Sequence, residues 1–580
     1  MSLLALGVGI VTGFGAVGFR DLIGLIHNIS FLGRVSFLYD ANRFTGVARW
    51  GALVVILVPV AGGMIVTFLV DNFAPEAKGH GVPEVMDAIY YRAGVIRPVV
   101  AVIKSLASAV AIGTGASVGR EGPIIQIGSA LGSTLGQLVR MPVGQRIALV
   151  AAGAGAGIAA TFNTPIGGVM FAIELMLPEI GVATFLPVAV ATGAATFIGR
   201  WALGNAPAFA APHITALAAG PGSIVVLALY AVLGALTGVA AAAFVRGLHL
   251  MEDIFGRIPH DYARHALGML ILGAMMCGLF RGYGHYFIEG VGYAAVQAIL
   301  TGGLAVWWLL ALLLAAKLVA TSLSLGSGSS GGVFSPSLFM GAALGAAFAA
   351  IINSGDFAPK LDAPAFAVVG MGAMVGGATG AVMTAVVMIF EMTLSYGVIM
   401  PMIVAVATSA GVRSLLSHET IYTSKLYRRG KHIPKARYTN MFLVRRAREV
   451  MDPGVLVLPR ETSFDDFLRA YGGEGRMRHV VVTDKGRLCG VIRVNTGLQR
   501  GLAGGHTGVT LGDIASRDFT VVRDDTVVFN VISRMWRRGA IMAVVARGRR
   551  APHGADVAGV ITKEHVADSV ADSVRIYPGD

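Results

Sequence analysis

The chain has 580 residues, of which 55% are hydrophobic and only 14% charged, and it carries 78 glycines at a mean hydropathy of +0.70. That composition excludes an ordinary soluble enzyme and predicts a polytopic membrane protein. The formal charge of +13 is concentrated near one end of the apolar region, and Cys277 and Cys489, the only cysteines, exclude both a disulfide framework and a cysteine-based zinc site.

In chain order, the opening run 1–19 lacks a basic leader and an A-x-A type cleavage site, so it reads as a retained first helix rather than a signal peptide. The apolar runs 50–70, 223–245 and 306–325 are each long enough to cross a hydrocarbon core of ~30 Å at ~1.5 Å per residue. Between them lies an internal repeat. The stretch "GTGASVGREGPIIQIGSALG" (113–132) aligns with "GSGSSGGVFSPSLFMGAALG" (326–345), so that Gly113, Ser117, Gly119, Pro123 and Gly128 recur as Gly326, Ser330, Gly332, Pro336 and Gly341 at one constant offset. A second pair, 153–176 and 370–393, matches Glu174 with Glu391.

Duplicated hydrophobic segments broken by glycine and proline predict a solute site near the bilayer midplane. A helix that starts inside the membrane presents free N–H groups and the positive end of its dipole, which attract anions. Irregular backbone at that depth must be buried in protein or face water, so an aqueous anion pathway is expected.

After the last apolar run, Arg413, Lys425, Arg428, Arg429, Lys431, Lys435, Arg437, Arg445, Arg446 and Arg448 crowd together. By the positive-inside rule this end is expected in the cytoplasm, as a basic linker near anionic lipid rather than a nucleic-acid site. From about residue 447 short β-type runs appear in two copies, each closing on "GVI" (490–492 and 559–561), an order of elements that resembles a pair of CBS domains.

The membrane motifs resemble those of the CLC chloride channels and anion/proton exchangers. "GHGVPE" (79–84) stands where that family commonly reads GSGIP, "GREGP" (119–123) matches outright, "GGVFSP" (331–336) matches its GxFxP element, and Tyr422 falls where the family places an anion-contacting tyrosine. The resemblance implies an all-α polytopic membrane protein with an inverted internal repeat, followed by a cytoplasmic α/β CBS-pair domain. Expected boundaries are 1–418 for the transport domain (halves roughly 1–205 and 220–418), 419–446 for the linker, and 447–505 and 506–580 for the two CBS copies. It further implies a homodimer in a plasma (inner) membrane, with one pathway per subunit. Because the sequence opens almost directly on the first hydrophobic run, the cytoplasmic leading helix common in the family is not expected in it.

Carried over residue by residue, the resemblance implies an anion site formed by the N–H groups of Val333 and Phe334, the Tyr422 hydroxyl and residue 80, flanked by Gly81, Arg120 and Gly122. Glu121 would be the gate. A carboxylate at a helix N-terminus is a tethered anion able to occupy the site of a free one, and protonation would release it. The alternative is a structural Arg120–Glu121 pair, against which stands the fact that adjacent helical residues do not face each other.

Three departures qualify the resemblance. His80 replaces the usual serine; its ring is either an anion contact or an interfacial, capping histidine, which leaves chloride as the default substrate beside bicarbonate or nitrate. Leu175 occupies the position of the internal proton glutamate, so passive, gated conduction is expected over proton-coupled exchange, with Glu174 structural. In the second CBS copy Thr562 is kept but His565 stands in place of the ribose-binding aspartate, so no cofactor is required and adenine-nucleotide binding is the lesser alternative to a structural or gating role. A CBS-regulated cation transporter would need clustered acids in the apolar helices, and no metal-ligand set, H-E-x-x-H, G-x-S-x-G or Walker sequence is present; the chain does not read as an enzyme.

Overall fold

Glycine and proline cut the apolar sequence into two successive series of eight helices each, both opening on two long helices followed by a short one. The computed structural model describes residues 1–39, 51–178, 180–211, 221–355, 360–431, 433, 445–471, 479–493, 508–547 and 553–567. They form two compact units, Met1–Ile433 and Pro434–Asp580.

The first series is α1 (Ser2–Leu32), α2 (Gly51–Phe73), α3 (Val82–Tyr91), α4 (Val99–Gly113), α5 (Glu121–Leu138), α6 (Val143–Phe162), α7 (Pro165–Phe171, prolonged by a π turn to Met176) and α8 (Val182–Leu203). The second is α9 (Pro221–Gly256), α10 (Asp261–Tyr283), α11 (Tyr293–Leu300), α12 (Trp307–Ser327), α13 (Phe334–Ser354), α14 (Ala363–Thr379), α15 (Val382–Thr393) and α16 (Ile399–Leu416); a short α17 (Thr423–Arg428) follows. Among the described residues nine helices are long and apolar enough to cross a membrane, including those grown from the runs 1–19, 50–70, 223–245 and 306–325. The chain is a multi-pass membrane protein.

Equivalent helices pack in equivalent ways: α1 lies against α8 and α6 as α9 lies against α16 and α14, and α5 crosses α6 as α13 crosses α14. Glycine makes the last two crossings possible. A Cβ added to Gly128 would lie 2.1 Å from the Gly153 carbonyl oxygen, and one added to Gly341 would lie 2.2 Å from that of Gly370. Backbone thus meets backbone at both crossings, the close approach by which membrane helices gain packing energy without a hydrophobic driving force.

The second unit repeats one small motif. β1 (Val455–Pro459) pairs in parallel with β2 (His479–Asp484), which pairs antiparallel with β3 (Arg487–Arg493). β4 (Phe519–Arg523), β5 (Met542–Ala546) and β6 (Val557–Thr562) follow the same pattern. Val481 and Val491 of the first sheet share a buried cluster with Met542, Val544 and Val560 of the second, so the copies are bound through a common core. Strand order and shared core match a CBS pair.

The basic run is partly tied down within the membrane unit. Lys425 lies 3.5 Å and Arg429 2.9 Å from Glu84, Arg428 pairs with Asp253, and Lys431 pairs with Asp87, so α17 and the residues just after it are tied to α3 and α9. Lys435 and Arg437 lie outside the described residues.

Candidate anion site

Three loops that precede helix N-termini are stitched together. Gly119 and Gly332 exchange backbone hydrogen bonds (Gly119 N–H to Gly332 O at 2.7 Å, the reverse at 2.5 Å) in an antiparallel bridge. These two residues are repeat partners, so one copy pairs with the other about a local two-fold axis. Gly79 pairs with Ser330 beside them. A Cβ on Gly122 would strike the His80 carbonyl oxygen at 2.0 Å, which brings the loop before α3 against the start of α5. As the broken-helix expectation requires, α5 begins at Glu121 and α13 at Phe334.

Gly81, Arg120, Val333 and Tyr422 are the N-cap residues of α3, α5, α13 and α17, and none caps its helix with a side chain. The first-turn N–H groups, including those of Gly122 and Phe334, have no helical acceptor by construction. Positive helix ends from both halves therefore converge here, with Glu84 and Glu121 as the acids in the first turns of α3 and α5.

Glu121 is fully buried. Its carboxylate accepts hydrogen bonds from the Tyr293 hydroxyl at 2.8 Å, from the Ser335 N–H at 3.2 Å and from the Ser335 hydroxyl. The Tyr293 and Ser335 oxygens are themselves 2.9 Å apart. The acid of one half is thus held at the helix start of the other. Arg120 turns elsewhere: its guanidinium sits 5.2 Å from the centre of the Tyr293 ring and it donates a long bond of 3.5 Å to the Thr161 carbonyl, and among the described residues no ion pair joins it to Glu121.

His80 is 1% exposed, and neither ring nitrogen has a hydrogen-bond partner. Unsatisfied buried polar groups cost about 1–3 kcal/mol each and are few in native proteins. Charged neighbours of this ring are cationic, namely Lys425, Lys104 and Arg429. Tyr422 is equally buried, within electrostatic reach of Glu121. Phe334 packs its ring 5.8 Å from Phe162.

Two lysines hold the loops in place. Lys104 donates to the Ala77 and Gly79 carbonyls at 2.8 and 2.7 Å, and Lys317 to those of Ile288 and Gly290 at 3.0 and 2.8 Å. Both are fully buried and occupy corresponding positions of α4 and α12.

Leu175 is buried in the π turn and carries no proton-exchanging group. Glu174 reaches α15 instead, accepting from the N–H groups of Met383 at 3.3 Å and Thr384 at 2.7 Å and from the Thr384 hydroxyl. Sequence reasoning placed Glu121, His80, Val333, Phe334 and Tyr422 but missed Tyr293 and Ser335, which hold the carboxylate. Ser335 was visible inside the "GGVFSP" motif; at the position of Tyr293 the other copy carries no tyrosine.

Comparison with known proteins follows the same lines. A family model described as voltage gated chloride channel matches residues 62–414, and a CBS domain model matches 447–496. The chain belongs to the CLC family. It is 32% identical over 440 residues to the H(+)/Cl(-) exchange transporter ClcA of Vibrio cholerae, covering 73% of this chain and 88% of that one. It is 31% identical to the chloride channel protein CLC-f of Arabidopsis thaliana over 71% of this chain and 54% of the relative. Among solved structures, a slow cyanobacterial Cl-/H+ antiporter superposes with a TM-score of 0.63 at 25% identity, over 74% of this chain and 97% of that one. A eukaryotic CLC transporter matches 97% of both chains with a TM-score of 0.60 at 20% identity, a likeness of fold that includes the CBS region. This CLC protein is therefore an anion-transport protein of the membrane.

Proposed function

We propose that this CLC protein carries small anions, chloride by default, by passive conduction through a pathway that Glu121 closes. The observation that carries the reading is the carboxylate of Glu121 accepting the Ser335 N–H at the start of α13. In that position it is a tethered anion in a seat made for a free one, held by Tyr293 and Ser335. Protonation removes its charge, weakens those bonds and lets the side chain leave, so flux rises as the pH facing the gate falls. The vacated seat is served by the N–H groups of Val333 and Phe334 and, deeper along the path, by the His80 ring and the Tyr422 hydroxyl, with Gly81, Arg120 and Gly122 shaping the backbone around it.

Passive conduction is favoured because Leu175 cannot relay a proton and Glu174 is engaged at the N-terminus of α15. Proton-coupled exchange is the second reading, and the Vibrio cholerae relative named as an exchange transporter favours it. Reconstituted liposomes separate the two: a chloride gradient that drives no proton movement while chloride flows supports conduction, and proton uptake against its own gradient establishes exchange. We assign the CBS pair a structural or gating role on the cytoplasmic side of a plasma membrane, without a required nucleotide, in a homodimer with one pathway per subunit.

A further inference from the structure

The fold of the CBS unit gathers three residues that are far apart in sequence. Asp452 is bridged to Val560 of β6 by paired backbone hydrogen bonds of 2.9 and 3.0 Å, His565 lies in the helical segment that follows β6, and His479 opens β2. One ligand atom from each, a carboxylate oxygen and two imidazole nitrogens, lies within 4.8 Å of the others. The His565 Nε2 is 3.8 Å from the Asp452 Oδ2, and the two imidazole rings are 5.4 Å apart at 86°. Asp452 engages its other oxygen, Oδ1, with the Gly454 N–H at 2.8 Å, leaving Oδ2 for a ligand.

A second observation points to a ligand here. His479 is 3% exposed and its Nδ1 is buried with no hydrogen-bond partner. A buried ring nitrogen without a protein partner is a donor atom that the fold leaves for a ligand. The remaining charges nearby, Arg493 and Glu564, face each other at 2.9 Å and neutralise one another.

We propose that Asp452, His479 and His565 form a binding site for a divalent transition-metal ion of the zinc class. Two imidazoles and one carboxylate are borderline-soft donors that suit such an ion and serve magnesium or calcium poorly. Metal–ligand bonds of ~2.0–2.2 Å bring donor atoms of a tetrahedral site to roughly 3.3–3.5 Å apart. The present spacing, within 4.8 Å, exceeds that by at most about 1.5 Å. Ligation through the His565 Nε2 places the ring proton on Nδ1 and gives up the long 3.3 Å contact that Nδ1 now receives from the Thr562 N–H. A bound ion would tie the segment entering the first CBS copy to the end of β6, joining the two copies of the unit.

The test uses the full-length protein in detergent, with its affinity tag removed and its metals stripped by a chelator, titrated with zinc chloride in a calorimeter. Expected is stoichiometric binding of one ion per chain, weakened on the order of tenfold or more in His479→Ala, His565→Gln and Asp452→Asn, and not displaced by excess magnesium. Asp452→Asn preserves the turn to Gly454 and His565→Gln alters a partly exposed position, so both are read alongside their elution profiles. Absence of zinc binding, binding undiminished in both of these variants, or equal competition by magnesium would overturn the proposal.

Discussion

Glu174 and Glu391 each close the N-terminus of the helix that carries the other. Glu174, at the end of α7, accepts from Met383 and Thr384 at the start of α15; Glu391, near the end of α15, accepts from the N–H groups of Ile166 at 3.1 Å and Gly167 at 2.7 Å at the start of α7. The reciprocity reproduces at a second place the two-fold relation seen at Gly119 and Gly332. Removing either charge leaves a helix start short of its acceptor, so Glu174→Gln and Glu391→Gln should each cost about 1–2 kcal/mol, read as lower thermal midpoints in detergent. Because Glu174 caps rather than relays, Glu174→Gln should leave the pH dependence of flux unchanged.

The gate reading makes a sharper demand on Glu121. Glu121→Gln should abolish most of the pH dependence of chloride flux in liposomes while transport itself persists. A wild-type pH profile in that variant would remove Glu121 from the gate.

Tyr293→Phe removes one hydrogen bond to the carboxylate and keeps the ring stacked under Arg120. A bond to a charged acceptor is worth about 1.5–3 kcal/mol, so the closed state should be weakened and chloride flux at neutral pH should rise on the order of tenfold. Ser335→Ala should act in the same direction. Unchanged flux in both variants would show that these hydroxyls do not hold the gate shut.

His80 offers a buried donor with no protein partner. If the ring serves the anion, His80→Ala should raise the chloride concentration for half-maximal flux by about fivefold, a loss of about 1 kcal/mol, and His80→Ser should restore part of it. Equal half-saturation in all three proteins would return His80 to a structural role.

Gly341→Val tests the crossing of α13 and α14. A side chain there meets the Gly370 carbonyl carbon at 2.6 Å and its oxygen closer still, so the helices must part. Loss well above about 3 kcal/mol is expected, seen as aggregation on size-exclusion chromatography, whereas Gly278→Ala on the open face of α10, where a Cβ meets nothing within 4 Å, should be tolerated.

Much of the membrane fold and of the candidate site was legible because the two copies kept their glycines and prolines, and these residues dictate where a helix can start and where two helices can touch. Glu174 was matched to Glu391 from spacing alone, although its capping role needed the positions of Met383 and Thr384. Tyr293 was not legible: it follows a loop whose glycines survive but whose other residues have drifted, and an aromatic in an apolar run signals packing first. The lysines at 104 and 317 sit inside otherwise apolar helices, and only the loop carbonyls above them reveal why charges are tolerated there. Asp452, His479 and His565 gave no spacing signature, since strand pairing rather than a local motif brings them together.

The lysines at 104 and 317 pin two ancestral twin loops, yet the loops now have different occupations. The one under Lys104 leads to His80, whose ring has no protein partner, while the one under Lys317 leads to Tyr293 and grips the carboxylate. Duplication supplied a spare loop, and its partner side chains now differ: the scaffold kept its symmetry and the chemistry abandoned it.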